Sequence, residues 1–350
     1  MEVDFLLIGQ GLAGSVLSYR LLEAGLKVHL IDRDEDNTSS KVAAGLYNPV
    51  TGRKMVKTWQ VDTLFSELEP FYKKIEKVIG EKILHPVAIY RPFLSVEEQN
   101  EWMAKSADPQ YAPFVREIAT RSRYRGLNDP YGGVALARSG YLDIPVFLSK
   151  YAGWLEKQGA ITRGEFVEDD LKITGRTMAY HGIKAKGIVY TNGLGASESR
   201  YFKWLPFAPV KGEVLTIAQD FEAREIINRG VFRIDLGKGV AKVGSNYEKG
   251  ELTVVPTEKA RKEILGKLNE LFNIPVKRIL GQKAGIRPAT IDRRPFLGKH
   301  PEYKNVYVFS GLGTKGVSLA PYFSEEMINL LILNKEPQKE VNINRFFKYI

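Results

Sequence analysis

The sequence contains no cysteine. That excludes disulfides, thiolate catalysis, cysteine-ligated metals and a cofactor tethered through sulfur. Histidine is scarce, with residues at 29, 85, 181 and 300 only. None is spaced as HxxxH, so no metal is expected, and they read as surface or half-buried side chains. No apolar run approaches the ~20 residues of a membrane span. The first residues are partly acidic with only a short apolar stretch, unlike a signal peptide, so a cytoplasmic protein is expected. Internal repeats and low-complexity linkers are also missing.

What is present is an ordinary globular composition in 350 residues, 44% of them hydrophobic. That length suffices for two domains with a buried core. Lys and Arg number 51 against 41 Asp and Glu, a net charge of +10. The excess favours anionic partners: a carboxylate substrate, a pyrophosphate or nucleic acid. The densest basic cluster is Arg121, Arg123 and Arg125, which share one face if the segment is extended. A solvated strand face is the simpler reading of it.

Val3–Ile8 reads as a buried strand, Ser15–Ala24 as a helix capped by Gly25, and Lys27–Asp32 as the next strand. Together they make a βαβ unit. Residues 36–58 read as a long functional loop. Helices are expected at Thr63–Ile79, within Tyr141–Gly159, at Thr257–Phe272 and at Val317–Leu333. Strands are expected at Gly187–Asn192, Val210–Ile217, Gly239–Val243 and Val306–Ser310. Residues 85–140 read as short strands and turns. The expected class is α/β: a Rossmann-type domain with a central parallel sheet, plus a smaller, mostly antiparallel β-sheet domain. The first would comprise 1–84, 141–205 and 285–350; the second, 85–140 and 206–284.

Gly9-Gln10-Gly11-Leu12-Ala13-Gly14 is GxGxxG between strand and helix. Gly9 permits the tight turn, Gly11 the close approach of a pyrophosphate, and Gly14 the packing of helix on strand. The helix N-terminus offers N–H groups to the phosphates. Asp32, with Arg33 beside it, ends the second strand, where a carboxylate accepts from ribose hydroxyls. An unphosphorylated ribose follows, so FAD or NAD; the fingerprint alone does not separate them. Gly311-Leu312-Gly313-Thr314-Lys315-Gly316 repeats the pattern near the C-terminus. It is placed to serve the same cofactor, its helix end and Lys315 stabilising negative charge on a reduced flavin.

These motifs, in order, resemble the D-amino-acid-oxidase-like FAD oxidoreductases, the group of glycine oxidase and sarcosine oxidase. Besides the two glycine turns and Asp32, the resemblance rests on Ser39–Gly45, Gly140–Asp143, Thr191-Asn192-Gly193, Pro209–Glu213, and Gly285-Ile286-Arg287-Pro288 with Asp292, Pro295 and Gly298. It decides for FAD over NAD. It implies that Ser40, Ala43, Ala44, Gly45 and Leu46 line the pyrophosphate and flavin. Val167 would meet the adenine through its backbone, and Asn192 and Gly193 would lie near the nucleotide. Arg287 would pair a substrate carboxylate, and Lys242 would promote reaction with O2. Members with covalent flavin use a cysteine or a histidine that this chain lacks, so FAD is expected to be non-covalent.

Asn48–Lys54 is unlike the glycine or sarcosine oxidases, and its position after the flavin loop predicts entry into the active site. Arg53, Lys54 and Trp59 could then shape its far wall, although a surface or packing role is the simpler reading of all three. The expected reaction oxidises a carbon–nitrogen bond of an amine or amino-acid-like substrate by hydride transfer to flavin N5. Two alternatives stand beside it. One is a flavin enzyme acting on a modified tRNA nucleoside, which a basic stripe or a fused methyltransferase domain would favour. The other is a non-enzymatic flavin-binding protein.

Overall fold

Glu2–Ile8 forms a strand buried on both faces, Leu7 packing into one core cluster and Leu6 into another. Such double burial is why it reads as a continuous apolar run. The structure is a computed structural model describing residues 1–52, 54–175 and 177–350; Arg53 lies outside the described residues. The helices are α1 (Leu12–Glu23), α2 (Ser39–Val42), α3 (Val61–Ile79), α4 (Val96–Ala107), α5 (Ile144–Lys157), α6 (Glu258–Leu271) and α7 (Gly316–Leu333).

Among the described residues the strands form two large sheets, of eight and nine strands. In the first, Ile161–Arg163, Val28–Asp32, Glu2–Ile8, Ile183–Tyr190 and Val306–Ser310 run parallel in that spatial order. Antiparallel strands complete it on the far side. In the second, the strands from 89–136 and 210–287 pair antiparallel, save one parallel pair between Ile226–Arg229 and Ile89–Pro92. The chain is α/β, as its pattern predicts.

α1 and α7 pack side by side and bring both glycine turns together. A Cβ on Gly316 would lie 2.9 Å from Leu12 Cδ2, so the glycine permits the contact. Arg20 ties the pair, its guanidinium donating to Ser324 Oγ and the Pro321 carbonyl. Pro321 has no N–H for the Val317 carbonyl one turn earlier. The Tyr72 hydroxyl of α3 donates to that carbonyl instead, at 3.0 Å.

Three expectations need correction. Residues 36–58 are not one loop: they contain α2 and short strands, including the pair Val50–Thr51 and Val56–Lys57. Residues 85–140 hold α4, started by Ser95, whose hydroxyl accepts from Glu98 N–H, while the Glu98 carboxylate accepts from Leu94 N–H. The Arg121–Arg125 segment is not extended, because its strand ends at Ala119. There Arg123 pairs with Glu117 and Glu225, while Arg121 and Arg125 are exposed. Among the described residues no helix is long and apolar enough to cross a membrane.

Candidate functional site

A cavity of about 720 Å³ runs between the two sheets. This is the size range of small-molecule sites. The N-terminal glycine turn forms part of its floor. Gly9 has φ +96°, and a Cβ on Gly14 would sit 1.9 Å from the Gly9 carbonyl oxygen and 2.7 Å from Thr191 Oγ1. The Thr191 hydroxyl donates to the Ile8 and Gly9 carbonyls, fixing the turn against the neighbouring strand. Gly14 is thus a packing residue under the cavity, while Gly9, Gly11, Leu12 and Ala13 line it.

Asp32 also lines it. Its carboxylate accepts from Gln10 N–H at 2.6 Å and from Asp34 N–H at 2.8 Å, so it holds the glycine turn while keeping lone pairs for a ligand. Arg33 is beside it, exposed, near Glu35 and Glu165. Ser40 Oγ accepts from Leu12 N–H at 3.2 Å and meets the helix start. Ala43, Ala44, Gly45 and Leu46 follow along the wall. From the other side come Asn192, Gly193, Gly311, Gly313, Thr314 and Gly316. Asn192 Oδ1 is shielded from solvent with no hydrogen-bond partner among the described residues. A buried acceptor left without a donor is costly, so this one is set for a ligand.

The glycine cradle, two converging helix N-termini and the unpartnered Asn192 acceptor fit an extended dinucleotide. The cavity is electrically divided. Its carboxylates, Asp32, Asp34, Glu35, Glu165, Glu168 and Glu198, gather where the first sheet's strands end. Glu168 accepts from the hydroxyls of Tyr190 and Ser199, both at 2.5 Å, and from Arg200. Such an end suits an unphosphorylated adenosine.

At the other end the second sheet supplies Arg287. Its guanidinium donates to the Lys211 carbonyl at 3.2 Å, Ser245 Oγ at 2.8 Å and the Asn246 carbonyl at 3.3 Å. Tyr247 covers it, the ring centroid 4.4 Å away. Burial depresses its pKa from the usual guanidinium range. No carboxylate pairs with it among the described residues; Asp292 pairs with Arg345 instead. Gly212, Val214, Phe232, Ser245, Tyr247, Leu252 and Val254 line this end as well. Of these only Gly212 lies in a motif visible in the sequence. The others are brought in by strand pairing and by the segment after Lys249.

Three further expected residues do not line the cavity. Lys242 reaches the loop wall from behind, donating to the Ala43 carbonyl at 3.2 Å, and burial lowers its pKa. Val167 N–H donates to the Tyr180 hydroxyl. Lys315 turns toward Thr51 and Thr58, 3.3 and 3.4 Å from their hydroxyls. The segment after Leu46 departs from expectation too. None of its described residues up to Lys54 lines the main cavity. Asn48 Oδ1 caps Val50 N–H, and the chain turns away as the Val50–Lys57 hairpin. Lys54 lines a separate cavity against Trp102, and Trp59 stacks on Phe323.

Glycine oxidase of Pseudomonas aeruginosa is 23% identical over 366 residues, covering 96% of this chain and 96% of that protein. A tRNA 5-methylaminomethyl-2-thiouridine biosynthesis bifunctional protein of Shewanella amazonensis is 23% identical, covering 98% of this chain and 59% of that protein. The solved structure of iminodiacetate oxidase from Chelativorans superposes with a TM-score of 0.78 at 20% identity, covering 98% of both chains. Residues 4–330 match the family described as DAO, FAD dependent oxidoreductase, and the chain belongs to that family.

Proposed function

We propose that this FAD-dependent oxidoreductase oxidises the C–N bond of a carboxylated amine, with the cofactor held non-covalently. FAD, when bound, supplies the acceptor for the hydride that leaves the substrate's α-carbon. The residues proposed to hold it are those of the two glycine turns with Asp32, Ser40, Ala43–Leu46, Asn192 and Gly193. In this reading residues 1–84, 141–205 and 285–350 carry the cofactor, and 85–140 and 206–284 carry the substrate wall.

The observation that supports the reading is Arg287: a half-buried cation at the cavity's end whose donors meet only neutral oxygens. A guanidinium matches a carboxylate with two parallel hydrogen bonds, and one already ordered by three acceptors loses little freedom on binding. Tyr247 stacks over one face of the guanidinium and leaves its edge for the ligand. The same surroundings prepare the amine. A cation nearby and apolar walls both disfavour an ammonium. The substrate nitrogen therefore sheds its proton to solvent and lies neutral, its lone pair free to assist departure of the hydride.

A nucleic-acid substrate is not favoured: the described basic residues lining the cavity are Arg33 and Arg287 alone, too few to track a phosphate backbone. Anaerobic mixing of the yellow holoenzyme with amines, imino acids and both enantiomers of amino acids tests the proposal. Bleaching by carboxylated amines is expected. Bleaching only by amines without a carboxylate overturns it.

A further inference from the structure

Resting on the carboxylated-amine reading, we infer that the substrate carries a bulky apolar side chain, and that Val214, Phe232, Leu252 and Val254 select it. Strand register sets the wall. Val214 lies opposite Gly244 on one side, and Phe232 lies opposite Gly244 on the other. Directly paired residues of neighbouring strands share a face, so Val214 and Phe232 flank one bare position. They close over it: a Cβ on Gly244 would sit 2.9 Å from Val214 Cγ1 and 3.3 Å from Phe232 Cζ. Gly212, two residues before Val214 and so on the same face, lies beneath the Arg287 guanidinium. The face thus passes from a carboxylate grip to an apolar wall.

Leu252 and Val254 complete it from the segment between Lys249 and α6. Both are unusually open for apolar side chains, at 54% and 39% exposure. Their segment is nonetheless tethered from below. Buried Lys211 donates to the Val255 carbonyl at 2.7 Å, and buried Glu213 accepts from the Thr257 N–H and hydroxyl. Two apolar side chains held over a cavity mouth gain burial only when something apolar arrives. The cavity's carboxylates all lie at its other end, and Arg287 is the charged lining residue at this one. Among the described residues no acidic side chain lines this end to pair a basic one, and a second carboxylate would be left against apolar walls at the cost of its desolvation.

Inert carboxylates with graded tails test this without turnover. The holoenzyme is titrated with acetate, 4-methylpentanoate, 3-phenylpropanoate and succinate, followed by flavin absorbance and, independently, by melting temperature. The two apolar acids are expected to bind roughly tenfold or more tighter than acetate, the scale set by added methylenes in an apolar pocket, and succinate no tighter than acetate. Leu252→Ser, a change on an open segment that leaves the core alone, should lower the ratio of 4-methylpentanoate to acetate affinity. In anaerobic bleaching, leucine should outpace glycine. Acetate binding as tightly as the apolar acids, or succinate binding tightest, overturns the inference while leaving Arg287 as the carboxylate ligand. Binding by none of the four acids removes the Arg287 reading and the inference with it.

Discussion

Gly212 and Arg287 claim the same space on neighbouring strands: a Cβ added to Gly212 would lie 1.9 Å from Arg287 Nη2 and 2.2 Å from its Cζ. The atoms in the way are the far end of a flexible side chain. Gly212→Ala should therefore fold and keep FAD while pushing the guanidinium off its acceptors. A tenfold or greater loss of affinity for an inert carboxylate is expected, about 1.4 kcal/mol or more. Titration of the holoenzyme checks this, and unchanged affinity would mean that the guanidinium's position is irrelevant to the ligand.

Removing the guanidinium altogether separates binding from folding. Arg287 neutralises no carboxylate in the described chain, so Arg287→Leu leaves no acid stranded. The change relieves the desolvation of a half-buried charge but leaves the Lys211 and Asn246 carbonyls and the Ser245 hydroxyl without their donor, and the two effects oppose each other. The melting temperature should stay near that of the wild type while carboxylate binding falls by about 2–5 kcal/mol. Arg287→Lys should recover only part, since an ammonium cannot present the planar fork. A large drop in melting temperature together with retained carboxylate binding would assign Arg287 a structural part instead.

How far the sequence discloses this site depends on distance along the chain. The βαβ unit is local, and its predicted strands and helix lie within a few residues of Glu2–Ile8, Leu12–Glu23 and Val28–Asp32. Both glycine turns could be placed for the same reason. α4 carries a local signal as well, Ser95 with Glu98, but neighbouring prolines and glycines obscure it. The apolar wall has no such signal. Val214 and Phe232 meet only because two strands pair on either side of Gly244, and register between distant strands is a tertiary property. Lys315 shows the same limit: its motif fixes the helix end, while its side chain follows the Val50–Lys57 hairpin.

Asp32 serves two masters, the loop and the ligand. Its Oδ2 accepts from Gln10 N–H and its Oδ1 from Asp34 N–H. Asp32→Ala removes both and any bond to a ribose hydroxyl. FAD affinity should fall by about 1.5–3 kcal/mol, the scale of hydrogen bonds to a charged group. Apoprotein stability should fall as well, because two backbone N–H groups lose their acceptor. Asp32→Asn, which keeps one good acceptor, should lie between. Dialysis followed by fluorescence titration with FAD measures the first effect, and thermal unfolding of the apoprotein the second. Wild-type FAD affinity in Asp32→Ala would leave only the loop role.

Lys242 yields a prediction with a sign in pH. Burial lowers its folded-state pKa below the ordinary lysine value of 10.5, with Asp143 opposing that and Lys283 adding to it. The unfolded chain, solvated, holds the proton more firmly. Below the folded pKa both states are protonated, and the folded state bears the full cost of the buried charge. As pH rises from the folded pKa toward 10.5 the folded lysine releases its proton first, and that cost fades. Lys242→Met removes the charge at every pH. Its stability relative to wild type should be greatest near neutral pH and should decline as the pH climbs to about 10. The lost bond to the Ala43 carbonyl subtracts a nearly constant amount and leaves the slope intact. Urea unfolding of the two proteins across that range gives the difference directly. A difference independent of pH would mean that the ammonium remains solvated, and the cation behind the Ala43–Leu46 loop would then be an ordinary surface charge.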